Sequence, residues 1–185
     1  MDCTHIPEIS CFYSDTIASH ILNPSAHFEY EMILVTDGSA QVQIHDRTYP
    51  LQRGSLLFIS RLEQHQFCIV KEPYCRYVLS VSSDLLLSHL NEPRLASIFM
   101  QRPEYFSHVV QLNEEQLAYF LPFFQKSADE YEKQSDFYTL QSIAMLLSIL
   151  ISLYRLYPNA FPMEDSSSLS AAVLNAQIYV SRHFN

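Results

Sequence analysis

The chain has 185 residues, 48% apolar and 17% charged, the composition of a folded globular protein with room for one sizeable domain and an appendage. A net charge of −9 argues against this segment gripping a phosphate backbone, which needs clustered Lys and Arg. With only two glycines and no G-x-S-x-G elbow, the sequence excludes phosphate-cradling nucleotide folds and gives hydrolase chemistry no support.

In chain order, the N-terminus "MDCTHIPEIS" has neither the basic nor the apolar region of a signal peptide, and it is followed by an aromatic-rich entry, "CFYSD". From Cys11 to Val81 short β-branched and aromatic runs alternate with turn signals: "EMILV" then "TDGS", "AQVQI" then "HDR", "TYPL" then "QRG", then "LLFIS", "QFCIV", "KEP" and "YCRYVLSV". About seven short strands at this spacing predict a small antiparallel barrel or jelly roll over residues 17–82. Period 2 puts His27, Glu29, Glu31, Ile33 and Val35 on one face and Phe28, Tyr30, Met32 and Leu34 on the other. Cys3, Cys11, Cys68 and Cys75 form no C-x-x-C pair and no zinc-finger spacing, so they read as reduced, buried thiols.

After Val81 the pattern turns helical, giving an α+β chain. "DLLLSHL" is a short helix opened by Asp84, and the stretch after it is broken by Pro93 and Pro103. Asn113 and Gln116 resemble a capping box ahead of a helix that Pro122 should kink or truly begin. A second helix, about Asp136 to Tyr157, is apolar on nearly its whole circumference. Leu140, Ile143, Ala144, Leu147, Leu150, Ile151 and Tyr154 form one stripe; Leu146, Ile149, Leu153 and Leu156 form another. Such a helix is either a central core helix or buried twice, and the second stripe is the expected self-association surface within residues 83–157. The longest apolar run, Ala144 to Leu153, is too short to span a bilayer, so no membrane partner and a cytoplasmic location are expected. Residues 158–170 read as a linker and 171–185 as the start of a further amphipathic helix.

The candidate chemistry lies between His27 and Phe67. His27 and Glu31 on one strand, with His65 several strands later, can bring two imidazoles and a carboxylate into one barrel interior. That trio could bind iron, manganese, nickel or zinc with positions left open, as in a small metal-dependent enzyme. Glu31 inside an apolar strand would cost several kcal/mol to bury unpaired, and His27, Arg47, Arg53, Arg61 or a polar ligand could satisfy it. Phe58, Phe67, Tyr49 and Tyr77 offer apolar walls for a pocket, or fill the barrel.

At these residues the sequence resembles the cupin pattern, and more closely the sensor domain of AraC-type transcription regulators. "SAHFEYEMILVTDG" matches the first motif of that pattern through His27, Glu31 and Gly38. "YPLQRGSLLFISRLEQH" matches the second through Pro50, Gly54 and His65. Ser25 stands where the pattern has a first ligand histidine, Ser55 replaces an aspartate, and Arg61-Leu62 replaces Pro-Gly. The resemblance implies an N-terminal arm over residues 1–16 that folds over the barrel mouth, then a cupin-like barrel followed by a helical dimerisation hairpin. It implies a small organic effector held by the barrel interior (His27, Glu29, Glu31, Ile33, Phe58, His65, Phe67 and Tyr77) without metal or other cofactor, no enzymatic activity, and a homodimer. It also implies that DNA is contacted only through a helix-turn-helix domain expected beyond residue 185.

Overall fold

The β-branched and aromatic runs do form strands, but fewer and longer ones than the turn signals predict. The structure is a computed structural model and describes residues 8–17, 21–90, 92–101 and 103–162. Its strands are β1 (Ile9–Thr16), β2 (Tyr30–Ile44), β3 (Arg47–Gln52), β4 (Ser55–Ile59), β5 (His65–Val81) and β6 (Val109–Gln111). Its helices are α1 (Ser83–His89), α2 (Pro93–Met100), α3 (Glu114–Lys133) and α4 (Tyr138–Leu156), with β6 between α2 and α3. Every pairing is antiparallel, in the order β1-β5-β2-β4-β6, with β3 beside the second half of β2.

β2 and β5 pair along almost their whole length, from Tyr30↔Val81 to Ile44↔His65. "TDGS" and "KEP", expected as turns, are bends inside these two strands. The register slips between Val35 and Ala40, and such bulges sharpen the local twist, so the sheet folds over on itself. Gly38 sits in this bend at φ +71°, where an added Cβ would collide with the Pro73 carbonyl of β5. Gly54, at φ +82°, closes the β3–β4 turn, and a Cβ there would press on the Leu112 carbonyl. The first half of β2 therefore lies between β4 and β5, the second between β3 and β5.

The two faces of this bent sheet bury two cores. Ile33, Val35, Val42, Leu57, Ile59 and Val78 fill the barrel, with Tyr49 and Phe67 packed at its edge. Met32, Leu34, Leu56 and Leu79 pack outward against Phe120 and Phe124 of α3 and Ile149 of α4. Two expected barrel-interior residues belong to the outer core instead. Phe58 stacks edge-on against Phe99 of α2 with ring centroids 5.9 Å apart, and Tyr77 lies 5.2 Å from Tyr13 and 6.4 Å from Phe124. β4 is buried at all five positions, so its sequence carries no polar face to tell inside from outside.

The helices follow local signals. Ser82, rather than Asp84, caps α1 by accepting the Leu85 N–H. Pro93 begins α2 instead of breaking it, since its missing N–H is free at a first helical position. The Asn113–Gln116 capping box opens α3 as expected, and Pro122 lies inside that helix. α4 is long and apolar enough to cross a membrane by length and composition, yet Ile143, Leu146, Ile149, Leu150 and Leu153 are buried in the chain's own core. This corrects the expected association stripe: Leu146, Ile149 and Leu153 are covered, and only Leu156 of that stripe is exposed, at 48%.

Of the expected arm, residues 9–16 are strand β1, paired with β5. Residues 1–7 and Cys3 lie outside the described residues. Cys11 is buried and donates to the Phe124 carbonyl, and burial pushes its thiol up to about 12. Cys11, Cys68 and Cys75 are all free. The expected linker begins with a short 3-10 turn, Pro158–Ala160, and Phe161 is buried against Tyr154. The rest of the linker and the terminal helix at 171–185 fall outside the described residues.

Two substitutions test this frame by chemical denaturation. Gly38→Ala is expected to lose more than about 2 kcal/mol, from left-handed strain plus the collision with Pro73. Phe58→Ala is expected to lose about 3–5 kcal/mol as an outer-core cavity.

Candidate functional site

Period 2 along β2 points Glu31 to the same face as Ile33 and Val35, so a carboxylate closes one end of an apolar barrel. Glu31 lies opposite Ile59 of β4 and Ser80 of β5. The Ser80 hydroxyl donates to Glu31 Oε1 at 3.0 Å, and His27 Nε2 lies 3.3 Å from Oε2. His65, buried at the start of β5, is brought beside them by its antiparallel bridge to Ser25, made through two backbone hydrogen bonds of 2.9 and 3.0 Å. The two imidazole rings meet nearly edge-on with centroids 5.2 Å apart. One ligand atom from each of His27, Glu31 and His65 falls within 4.8 Å of the others.

The partners of the rings fix their tautomers when neutral. His65 Nδ1 donates to the Glu63 carbonyl at 2.8 Å, leaving Nε2 to accept from the Ser25 hydroxyl at 2.8 Å. His27 Nδ1 donates to the Glu29 carbonyl at 3.1 Å, leaving its Nε2 turned to Glu31 without an aligned hydrogen bond and cut off from solvent. Glu29's own carboxylate is 3.7 Å from His27 Nδ1, at the rim. The Glu31 contact raises His27 above the ordinary imidazole range despite burial. Burial pushes Glu31 upward, but His27 and Ser80 outweigh it and hold the carboxyl below the usual range. Burial depresses His65, which stays neutral at pH 7.

Of the Glu31 partners open in the sequence, His27 is the one found. Arg53 instead forks onto Glu114 at the start of α3, with nitrogens 3.0 Å from both carboxylate oxygens. Ile33 and Phe67 line the barrel as expected, and the Phe67 ring lies 5.8 Å from His65. Phe58 and Tyr77, on the outer face, do not reach this cluster.

A second buried polar group adjoins the first. His108 joins the Tyr49 hydroxyl on Nδ1 to Glu63 Oε1 on Nε2, both at 2.9 Å, and Glu63 Oε2 accepts the Ser60 N–H. Glu63 thus serves both groups, through its side chain to His108 and its carbonyl to His65. A cavity of about 310 Å³ opens beside it, lined by His45, Glu63, Phe106 and His108 among others. Ser80, Glu63 and His108 were not among the expected site residues. Glu63 alone had a signal, two positions before His65 in a strand-entry loop; His108 follows an irregular stretch whose return to the sheet as β6 no local pattern announces.

Comparison with known proteins gives these features a class. The AraC-like ligand binding domain model matches residues 7–150. Over 97% of this chain, the structure is similar to apo ToxT from Vibrio cholerae, with 11% identity, a TM-score of 0.57 and 68% of that chain covered. Over 45% of this chain, it is similar to a Cupin 2 conserved barrel domain protein from Salinispora arenicola, with 14% identity, a TM-score of 0.38 and 71% of that chain covered. Over 45% of this chain, it is also similar to the cupin domain of Schizosaccharomyces pombe Cnp3, with 10% identity, a TM-score of 0.40 and 63% of that chain covered. No curated protein matches. The fold, an antiparallel β-barrel carrying C-terminal helices, is the one shared with ToxT. The chain belongs to the AraC-like ligand binding domain family.

The paired shifts predict a pH signature in chelated buffer. A depressed Glu31 stabilises above its unfolded pKa of 4.5 and loses this as pH falls through the folded value. A raised His27 stabilises below 6.5 and loses this as pH rises through its folded value. The stability difference between wild type and His27→Ala should therefore peak between these two pH values and shrink on either side, read by denaturant melts across pH.

Proposed function

We propose that this chain is the effector-sensing and self-associating part of an AraC-type transcription regulator, binding a small molecule at the polar end of its barrel. The observation that carries this reading is the His27, Glu31 and His65 group closing an otherwise apolar barrel in a chain of a ligand-binding family. A barrel does not need buried ionisable groups to fold, since apolar residues of similar volume stabilise a core as well or better. Their presence is better explained by a ligand that meets them, with Phe67 and Tyr49 as its apolar wall. The reading is one of binding without turnover, in the cytoplasm, and DNA contact is not assigned to residues 8–162.

The self-association surface in this proposal is the stripe of α4 that the chain leaves uncovered. Leu140 is 57% and Ile151 39% exposed, Ala144 is exposed and Leu147 half-buried. Their spacing of four, three and four residues is that of a helix-pairing seam. Homodimerisation through this seam would bury apolar surface that a lone chain shows to water.

Two measurements test the reading. In sedimentation the wild type is expected to be a dimer, and Leu147→Glu combined with Ile151→Glu a folded monomer; a wild-type monomer would sink the association. Thermal unfolding against sugars, organic acids, amides and divalent metals should single out one ligand class, worth about 2.7 kcal/mol at a hundredfold excess over Kd. No stabilisation by any class would sink the sensing role.

A further inference from the structure

We propose that the cavity between β1 and α3 is a second binding site, made for a small organic ammonium ion. It lies on the outside of the sheet, away from the barrel end, and goes beyond the sensing role. The cavity measures about 690 Å³, within the range of small-molecule sites, and its wall includes Tyr13, Tyr77, Tyr131, Asp129 and Glu132. Among the described lining residues there is no Lys or Arg.

The cavity follows from the sequences of the two elements. Period 2 along β1 sends Ile9, Cys11 and Tyr13 toward the helices, and Tyr13 stands opposite Tyr77 of β5. Helix α3 closes on this face at Phe124, whose carbonyl accepts from the Cys11 thiol. One turn further on, where another large side chain would continue the packing, the residue is Ala128. Its methyl group leaves the space unfilled, and Asp129, Tyr131 and Glu132 border it from the same stretch of helix.

Aromatic rings and carboxylates around an unfilled space suit a cation. The Tyr13 and Tyr77 rings stand 5.2 Å apart at 58°, a corner rather than a stack. Ring faces attract a cation held within about 6 Å, and quaternary ammonium groups, whose charge is clothed in methyls, are the ligands that aromatic cages select. Burial pushes the Tyr77 phenol up and the Asp129 charge adds to this, so the field of that carboxylate reaches the ring. Lys133 lies 3.7 Å from Asp129 Oδ2, but both side chains are 67% exposed, and such a pair is exchanged at little cost. The chain's net charge of −9 acts in the same direction, drawing cations and repelling carboxylates. A cation seated here would contact β1, β5 and α3 at once, tying the edge strand of the sheet to the helix.

The test is calorimetric titration of the full chain with tetramethylammonium, choline and benzyltrimethylammonium at fixed ionic strength. Choline's neutral isostere, in which tert-butyl replaces trimethylammonium, is titrated beside them, and circular dichroism confirms that each variant is folded. At least one of the ammonium ions should bind at a single saturable site, and the isostere should bind at least about tenfold more weakly than choline. Tyr13→Phe should keep the affinity, because the ring remains, whereas Tyr13→Leu should weaken it about two- to thirtyfold. Asp129→Asn should weaken it about two- to fivefold. Ala128→Leu should abolish binding by filling the space, with the melting temperature at or above that of wild type. Failure of all the ammonium ions to bind overturns the site. An isostere that binds as tightly as choline overturns the cation as its ligand. Binding that survives both Tyr13→Leu and Ala128→Leu unchanged lies elsewhere on the chain and overturns the assignment to this cavity.

Discussion

The pairing of β2 with β5 constrains everything else in this molecule. Two long antiparallel strands cannot curl into a barrel while their register is regular, because a straight ladder keeps one face on one side throughout. The slips between Val35 and Ala40 break that regularity, and Gly38 is the residue that lets the backbones stay in contact across the break. The first half of β2 then pairs with β4 and the end of β5 with β1, while the second half of β2 pairs with β3, so the same inward parity that buries Ile33 and Val35 also carries Glu31 to the barrel's end. His65 sits opposite Ile44 at the start of β5 for the same reason. The site's composition is thus a consequence of where the two strands begin and end.

Burying titratable groups at that end costs free energy that the surrounding sequence partly returns. Glu31 keeps its charge because Ser80 and His27 face it, and His65 is depressed because its burial outweighs the pull of Glu31 and Glu63. His27 is the exception, with one nitrogen satisfied by a backbone carbonyl and the other left without an aligned partner. That nitrogen lies 3.3 Å from Glu31 Oε2, so the pairing of the two groups is electrostatic rather than an aligned hydrogen bond.

Much of this was legible in the sequence where a local rule had no competitor. The capping box at Asn113, the stop before Pro158 and the inward parity of Glu31 and Ile33 each depend on residues a few positions apart. Phe58 was misplaced because β4 is buried at all five positions and its burial names no side; Tyr77 shares a face with Leu79 and Val81, opposite Arg76 and Ser80, and only the helices packed outside decide that this face belongs to the outer core. "TDGS" and "KEP" carry turn composition yet lie inside strands, since a bulge and a hairpin use the same residues for the same backbone freedom. The α4 stripes were exchanged for a related reason. Both are apolar, and only the position of α3 and the outer sheet face decides which one the chain covers.

That choice also decides what a change at the barrel can reach. The outer core joins the back of β2, β4 and β5 directly to α3 and α4 through Leu34, Leu56 and Leu79 on one side and Phe120, Phe124 and Ile149 on the other. At the far end, Arg53 in the β3–β4 turn grips Glu114, and Tyr157 just after α4 donates its hydroxyl to Gln116 Oε1 at 2.6 Å and lies 3.1 Å from the Gln111 carbonyl of β6. Ser55 of β4 completes this chain through Gln111 Oε1. Surface ion pairs of the Arg53 kind add little stability, so their effect is geometric: they hold the start of α3 and the end of α4 in register with the strands. A rearrangement of β2 or β5 at the His27 cluster therefore meets a packed, two-point connection to the helices rather than a loose hinge, and close-packed interfaces of that kind transmit small shifts as rigid-body movements. The same packing leaves Leu140, Ala144 and Ile151 of α4 exposed.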